Sequence, residues 1–250
     1  MKLGIAINVT NKMTEMYNNV INWRLFKTKT VISVFSNGKN VINNGFVDFF
    51  RYKKQYREKR IETPLTLVDA VRPLMDIEDL DFIIWNHCDY HYLDEDILLR
   101  KLKEIKNKKL GGASHMDCSF CHNSNEYRGI RSTMGDVRCA SAYCLILTPD
   151  FIRKHRFLDM KPFTSNIRGL KDGGTADTFT AHFYKYVGED WYTKILDLPR
   201  HGPMYNNIKY NSFFPDSMMV HSHLNKTPDE LRGMFSEEIN NERRSNSNQY

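Results

Sequence analysis

Four residues, Phe82-Ile83-Ile84-Trp85, constrain this chain more than any other stretch. The run is too short for a helix and is made of β-branched and aromatic residues, so it reads as a buried strand. It stops abruptly in Asn86, His87, Cys88, Asp89, Tyr90 and His91, a cluster of hydrogen-bonding and metal-ligating side chains. Leu93 to Leu110 then reads as a helix, with Asp94, Glu95 and Asp96 at the end that favours negative charge and lysines accumulating toward the other. Open α/β sheets take their ligands outside the carboxyl ends of the strands. Asp89, just past such an end, is therefore the leading functional candidate.

The same grammar recurs along the chain. Leu3 to Val9 and Val31 to Phe35 are strand-length runs, and between them Thr14 to Arg24 places Met16, Val20 and Trp23 at helical spacing. Strand, helix, strand in this order is a βαβ unit, so a mostly parallel sheet is expected. Ser36-Asn37-Gly38 closes the second run as a turn. Phe46 to Phe50 is a short strand candidate, and the basic stretch Tyr52 to Arg60 reads as a solvated face. Thr63-Pro64 opens a helix whose apolar spacing runs from Leu65 to Met75, disturbed at Pro73.

From Gly111 the character changes. Gly111 to Ser114 reads as a strand start, Ala140 to Thr148 as a buried strand, and Pro149 as the start of a helix. A Gly-rich loop, Arg168 to Asp177, leads into a helix over Thr178 to Val187. Ile195 to Leu198 is another strand, and Pro203 to Pro215 an aromatic, Asn-rich loop. Met218 to Val220 is a last strand ending in His221-Ser222-His223. A helix near Pro228 to Asn240 gives way to a polar tail, RRSNSNQY, expected to be disordered.

With 250 residues and 41% hydrophobic composition the chain can bury a sizeable core. A net charge of +6 suits an anionic small molecule, and the cations are spread along the chain, not gathered into a nucleic-acid stripe. No apolar stretch reaches the length of a membrane span, and the N-terminal run lacks the features of a signal peptide. The five cysteines are an odd number without disulfide-framework spacing. A reducing, cytoplasmic setting is expected.

This order resembles that of GT-A-fold glycosyltransferases, most closely the broad family-two-like group. The resemblance rests on IAINV, then a strand ending in SNG, a helix opening TPLTLVDAV, a strand ending in HCD, the helix LDEDILLRKL, the strand ASAYCLILTPDFI, the loop GGTADTF, and a late His. It covers roughly residues 1 to 224 and lies in the order of features more than in letters. It implies a GT-A-like, Rossmann-type α/β fold with a mostly parallel central sheet flanked by helices and a smaller acceptor-side region. Residues 1–110 would form the nucleotide-sugar half, 111–225 the acceptor half of the same domain, and 226–250 a C-terminal helix and tail. Where the group carries Asp-x-Asp, this chain has His87-Cys88-Asp89, or in the other frame Asp89-Tyr90-His91.

The implied activity is transfer of a sugar from a UDP- or GDP-linked donor to a glycan or other hydroxyl acceptor, slightly favouring inversion. Mn²⁺ or Mg²⁺ would offset charge on the diphosphate, held by Asp89 and His91 with His221 or His223 from the late strand. One Asp with His suits Mn²⁺ better than Mg²⁺. Ala6, Asn8, Thr10, Asn37, Asp69 and His87 would line the nucleotide pocket, and Tyr205, Asn206 and Asn207 the acceptor side. Asp177, with Asp172 second, would be the general base. Two other classes stand beside this one. One is a catalytically inert sugar- or nucleotide-binding protein on the same fold. The other is a zinc-stabilised nucleic-acid-binding protein, suggested by His115, Cys118, Cys121 and His122.

Overall fold

A computed structural model describes residues 1–9, 12–37, 45–53, 68–107, 112–114, 144–160, 193–195, 200–201, 212–214, 219–221 and 226–247. The apolar runs of the first half form the centre of a seven-stranded sheet. β1 (Lys2–Val9) pairs in parallel with β2 (Lys29–Asn37) on one side and β4 (Phe82–His87) on the other, and β2 pairs in parallel with β3 (Phe49–Lys53). β7 (Cys144–Leu147) runs antiparallel to β4 and to β6 (Gly112–Ser114), which pairs in parallel with β8 (Thr193–Ile195). The order is β3-β2-β1-β4-β7-β6-β8, so the sheet is mostly parallel, as its two-sided apolar strands require.

Alternation along the strands divides the core. Leu3, Ile5, Ile7 and Val9 of β1, with Phe82 and Ile84 of β4, face a cluster shared with Met16, Val20 and Trp23 of helix α1 (Met13–Arg24). That cluster also holds Leu98, Leu102 and Ile105 of helix α2 (Glu95–Asn107). Ala6 with Ile83 and Trp85 faces the opposite side, covered by Val68, Val71, Leu74, Phe151 and Phe157. Gly4 lies on this second face because the segment above it packs on the backbone. A Cβ there would come within 3.0 Å of Leu80 Cδ1 and 3.3 Å of Leu74 Cδ1.

Local chemistry sets the helix boundaries. Thr148 caps helix α3 (Pro149–Lys154) by accepting from the Phe151 N–H, with Pro149 in the first turn. Thr227 and Glu230 form a capping box at helix α4 (Pro228–Met234), and hydrogen bonds from Thr227 and Lys226 hold the Glu230 carboxyl down to about 2. Asp94 caps α2 by accepting from the Ile97 N–H at 3.1 Å. Its other carboxylate oxygen takes two hydrogen bonds from Arg243, at 2.9 and 2.5 Å.

Several expectations shift. The strand placed at residues 46–50 lies at Phe49–Lys53, and the one placed at residues 195–198 has its described part at Thr193–Ile195. Pro73 does not merely disturb a helix end: Arg72–Asp76 is a 3-10 turn with that proline at its start. Ser212–Phe214, read as loop, is strand β10, pairing with β9 (Arg200–His201) and with β11 (Met219–His221). Tyr90–Tyr92, read only as part of a polar cluster, is strand β5 and pairs with β11, so β5-β11-β10-β9 form a second, antiparallel sheet. Helix α5 (Ser236–Ser247) continues into the stretch expected to be disordered, because Arg243 has the buried Asp94 to bind. The helix over residues 178–187 lies outside the described residues.

Glu95 gives one test of this scaffold. Its carboxylate accepts from the Lys27 and Thr28 N–H groups, at 2.8 and 2.6 Å, and from the Thr28 hydroxyl at 2.5 Å, tying α2 to the loop after α1. Partial burial pushes its pKa up, but the hydrogen bonds from Thr28 and Lys27 outweigh that and leave it lowered. A lowered carboxylate contributes stability that is complete above its unfolded value and lost as pH falls through the folded one. Glu95→Gln should therefore cost about 1 kcal/mol in urea unfolding at neutral pH, a figure reduced by water access. The gap to the wild-type protein should close on acidification, and a constant gap would contradict this account.

Candidate functional site

The sheet order locates the crevice. From β1 the chain steps outward to β2 and β3, then returns to place β4 on the other side of β1. The turn after β4 therefore comes to lie beside the start of α1 at the carboxyl ends of β1 and β4, the end of the sheet where open α/β proteins bind ligands. Asn8 ends this side of β1 and lies opposite His87 in the parallel register. Both share the face of Ala6 and Trp85, while Asn86 points to the other face, toward α1.

Asp89 sits in the two-residue turn between β4 and β5 and is 1% exposed. Both its oxygens are engaged. One accepts from Lys12 Nζ at 2.6 Å, and the other meets His87 Nδ1 at 2.5 Å. A carboxylate only accepts, so in the neutral ring Nδ1 carries the hydrogen and Nε2 keeps the lone pair. Burial alone lowers the Lys12 ammonium, but the charge and hydrogen bond of Asp89 outweigh it, leaving the pKa above the ordinary lysine value. Lys12 also holds the N-cap position of α1, with no side-chain cap. Capping positions favour Ser, Thr, Asp or Asn, and a cation is electrostatically misplaced at a helix N-terminus. Its role is therefore set by Asp89, not by the helix.

The turn is held from below by asparagines. Asn19 of α1 donates to the Tyr90 carbonyl at 2.5 Å, Asn86 donates to the same carbonyl at 3.0 Å and to Asn19 Oδ1 at 3.2 Å, and Asn22 donates to the Tyr92 carbonyl at 2.7 Å. Asn8 differs. Its amide is fully buried, and among the described residues neither its donor nor its acceptor has a partner. An unsatisfied buried amide costs about 1–3 kcal/mol, which makes Asn8 a candidate for a further hydrogen bond at this end of β1.

His87, Cys88 and Asp89 place their ligand atoms within 4.8 Å of one another. Cys88 is packed in the core, where burial first, then the neighbouring Asp89 charge, push its thiol well above the usual range, and a soft thiol suits Mn²⁺ or Mg²⁺ less well than a carboxylate or an imidazole does. What remains is one carboxylate and one imidazole. That set fits a divalent ion completed by waters and substrate phosphates, and the imidazole favours Mn²⁺ over Mg²⁺.

The other sequence candidates fall into three groups. Ala6 is packed under the 68–76 segment, and Asp69 of that segment lies 3.6 Å from Arg72. His91 is 1% exposed within β5, opposite Val220, and His221 is bridged to Tyr90, so the late strand does return beside the Asp89 turn. Asn37 closes β2. Its side chain, Thr10, Asp172, Asp177, His223, residues 205–207 and the 115–122 Cys/His segment lie outside the described residues. Sequence reasoning missed Lys12 and the α1 asparagines. Polar residues recurring on a helix face that should be apolar were the available signal.

Fold and site together define an α/β protein with a buried carboxylate, paired with a lysine and a histidine, at the carboxyl end of a mostly parallel sheet where the strand order reverses. No protein-family model matches the chain, and no curated protein sequence does. Among solved structures it is similar to a galactosyltransferase, LgtC, in complex with donor and acceptor sugar analogs, at 13% identity and TM-score 0.49, over 75% of this chain and 72% of that one. It is also similar to a mannosyltransferase from Pyrobaculum calidifontis in complex with GDP-Man and Mn²⁺, at 9% identity and TM-score 0.46, over 82% and 58%. A third is mouse xyloside xylosyltransferase 1, at 12% identity and TM-score 0.46, over 79% and 86%. Among the described residues no helix is long and apolar enough to cross a membrane.

The fate of Cys88 tests the ligand assignment. Cys88→Ala should leave Mn²⁺ affinity within about twofold of the wild-type value, since a soft, core-packed thiol is a poor ligand for this ion. In the native protein the peptide carrying Cys88 should resist alkylation by iodoacetamide, read by mass spectrometry. Rapid native labelling would show that the thiol is exposed.

Proposed function

We propose that this protein is a glycosyltransferase that moves a sugar from a UDP- or GDP-linked donor to an acceptor hydroxyl, with the donor in the β1–β4 crevice. The observation that carries the reading is the convergence there of an unpartnered buried amide, Asn8, with Lys12, His87 and Asp89. An amide offering one donor and one acceptor suits a nucleobase or ribose edge. A lysine beside a buried carboxylate suits a diphosphate.

In this proposal Thr10, Asn37 and Asp69 complete the nucleoside pocket, while Ala6, packed under the 68–76 segment, belongs to the core behind it. A divalent ion, Mn²⁺ in preference to Mg²⁺, would be held by Asp89 and His87, with His91, His221 or His223 as further ligand candidates. When bound it offsets charge on the diphosphate. The acceptor approaches from the side formed by residues 111–225. Its oxygen forms a bond to the anomeric carbon as the bond from that carbon to the diphosphate oxygen breaks. The nucleoside diphosphate leaves with the electron pair, and the hydroxyl proton passes to Asp177, with Asp172 as the alternative base. The buried, hydrogen-bonded position of Asp89 keeps its carboxylate fixed while the ligands change.

Calorimetry with UDP- and GDP-sugars, with and without Mn²⁺, followed by assay of nucleotide release, tests the reading. Asp89→Asn should cut Mn²⁺-dependent release at least about a hundredfold while circular dichroism stays that of the wild-type protein, the scale of removing a transition-state charge contact. Unchanged release would remove Asp89 from the mechanism. Donor binding without release under any acceptor would favour the inert binding protein, a reading supported by the fact that both Asp89 oxygens are already occupied.

A further inference from the structure

Asp89 and Lys12 are unequal partners. Asp89 is 1% exposed, fixed in a two-residue turn whose flanking carbonyl is held by Asn19 and Asn86, with its second oxygen against His87. Lys12 is 32% exposed and reaches the carboxylate from the N-cap position of α1 on a flexible stem. If a divalent ion is to bind Asp89, the group that gives way is Lys12.

Where the ammonium goes is constrained by charge. A lysine displaced by a cation is repelled from the ion's own position and from the N-terminus of α1, whose first turn begins at the next residue. The diphosphate, bearing the negative charge the ion only partly offsets, is the compensating group at hand. We infer that Lys12 is a charge-exchange residue of the donor site: it occupies Asp89 in the free protein and transfers to the donor diphosphate when a divalent ion takes its place. This rests on the donor-site reading above and assigns Lys12 a role in both states. Ion and nucleotide then bind interdependently. The ion must evict Lys12, an eviction opposed until the ammonium meets another anion; Glu15 in the first turn of α1 is near it, and the diphosphate carries the larger charge.

The test uses the full chain and has readouts besides turnover. Mn²⁺ affinity is measured by paramagnetic resonance titration for the wild-type protein, Lys12→Met, Lys12→Gln and Asp89→Asn. Affinity for UDP and GDP is measured by calorimetry at saturating Mn²⁺, with uridine and guanosine as probes lacking phosphate. Lys12→Gln guards against misfolding of the Met variant, since it keeps a hydrogen bond to Asp89 without the charge. Both Lys12 variants should hold Mn²⁺ about tenfold more tightly than the wild-type protein and UDP or GDP about tenfold more weakly, with nucleoside affinity unchanged. Unchanged or weaker Mn²⁺ binding in both, with unchanged diphosphate affinity, overturns the exchange. Gain for Mn²⁺ without loss for UDP or GDP also overturns it, leaving Lys12 a mere counter-ion. Should Asp89→Asn abolish Mn²⁺ binding while both Lys12 variants match the wild-type protein, the exchange fails and the donor-site reading survives. Absence of Mn²⁺ binding in all four proteins removes both.

Discussion

A carboxylate buried to 1% exposure must be paired, and at the end of β4 that requirement organises its surroundings. Lys12 and His87 supply the partners, but only because β1 and β4 run side by side and in register, which brings the start of α1 beside the turn after β4. The pairing is not a strong source of net stability, since desolvation of both charges offsets most of their attraction. Its effect is positional: it holds one oxygen-bearing group at a fixed point at the carboxyl end of β4, beside the start of α1.

The rest of the site is built by moving polar groups into places that a plain amphipathic pattern would fill with carbon. Asn18, Asn19 and Asn22 are buried on α1, a helix whose neighbours on that face are Met16, Val20 and Trp23. Each has a job in the ladder of carbonyls. Asn18 donates to the Lys226 carbonyl at 2.9 Å, and Asn22 accepts from Arg232 at 2.8 Å while donating to Tyr92. Buried amides hydrogen-bonded in this way favour one docking of helix on strand, because a slip strands them without partners. Asn8 stands apart from this network with both amide atoms unmet.

Much of the scaffold was legible in the sequence because it rests on short-range signals. Uninterrupted apolar runs mark strands buried on two faces, and Leu3 to Val9 and Phe82 to Trp85 lie where expected. Caps are equally local, as at Thr148-Pro149 and Thr227-Pro228. What escaped depends on partners remote in sequence. Tyr90–Tyr92 is a strand only because β11 returns to pair with it, and α5 extends past Arg243 only because Asp94 lies across from it. Asp89 could be singled out from its place after a strand. Its partner Lys12, seventy-seven residues earlier, could not, since nothing near Lys12 in sequence explains a cation at a helix start.

The second sheet turns this into a constraint on the chain's second half. β5 begins at the residue after Asp89 and is fixed to α1 through the Tyr90 and Tyr92 carbonyls. β11 takes its register from β5, with Met219, Val220 and His221 opposite Tyr92, His91 and Tyr90. Arg232 of α4 then binds both the Leu93 carbonyl and Asn22, and Leu231, Phe235 and Ile239 pack on Leu93, Ile97 and Val220. Each step is short and satisfied, so the position of β11 is referred back to α1 through backbone carbonyls. A one-residue slip of β11 would turn Val220 out of that apolar cluster and reverse every side chain on the strand. The C-terminal helices are thus less an appendage than the clamp that holds the late strand against the turn bearing Asp89.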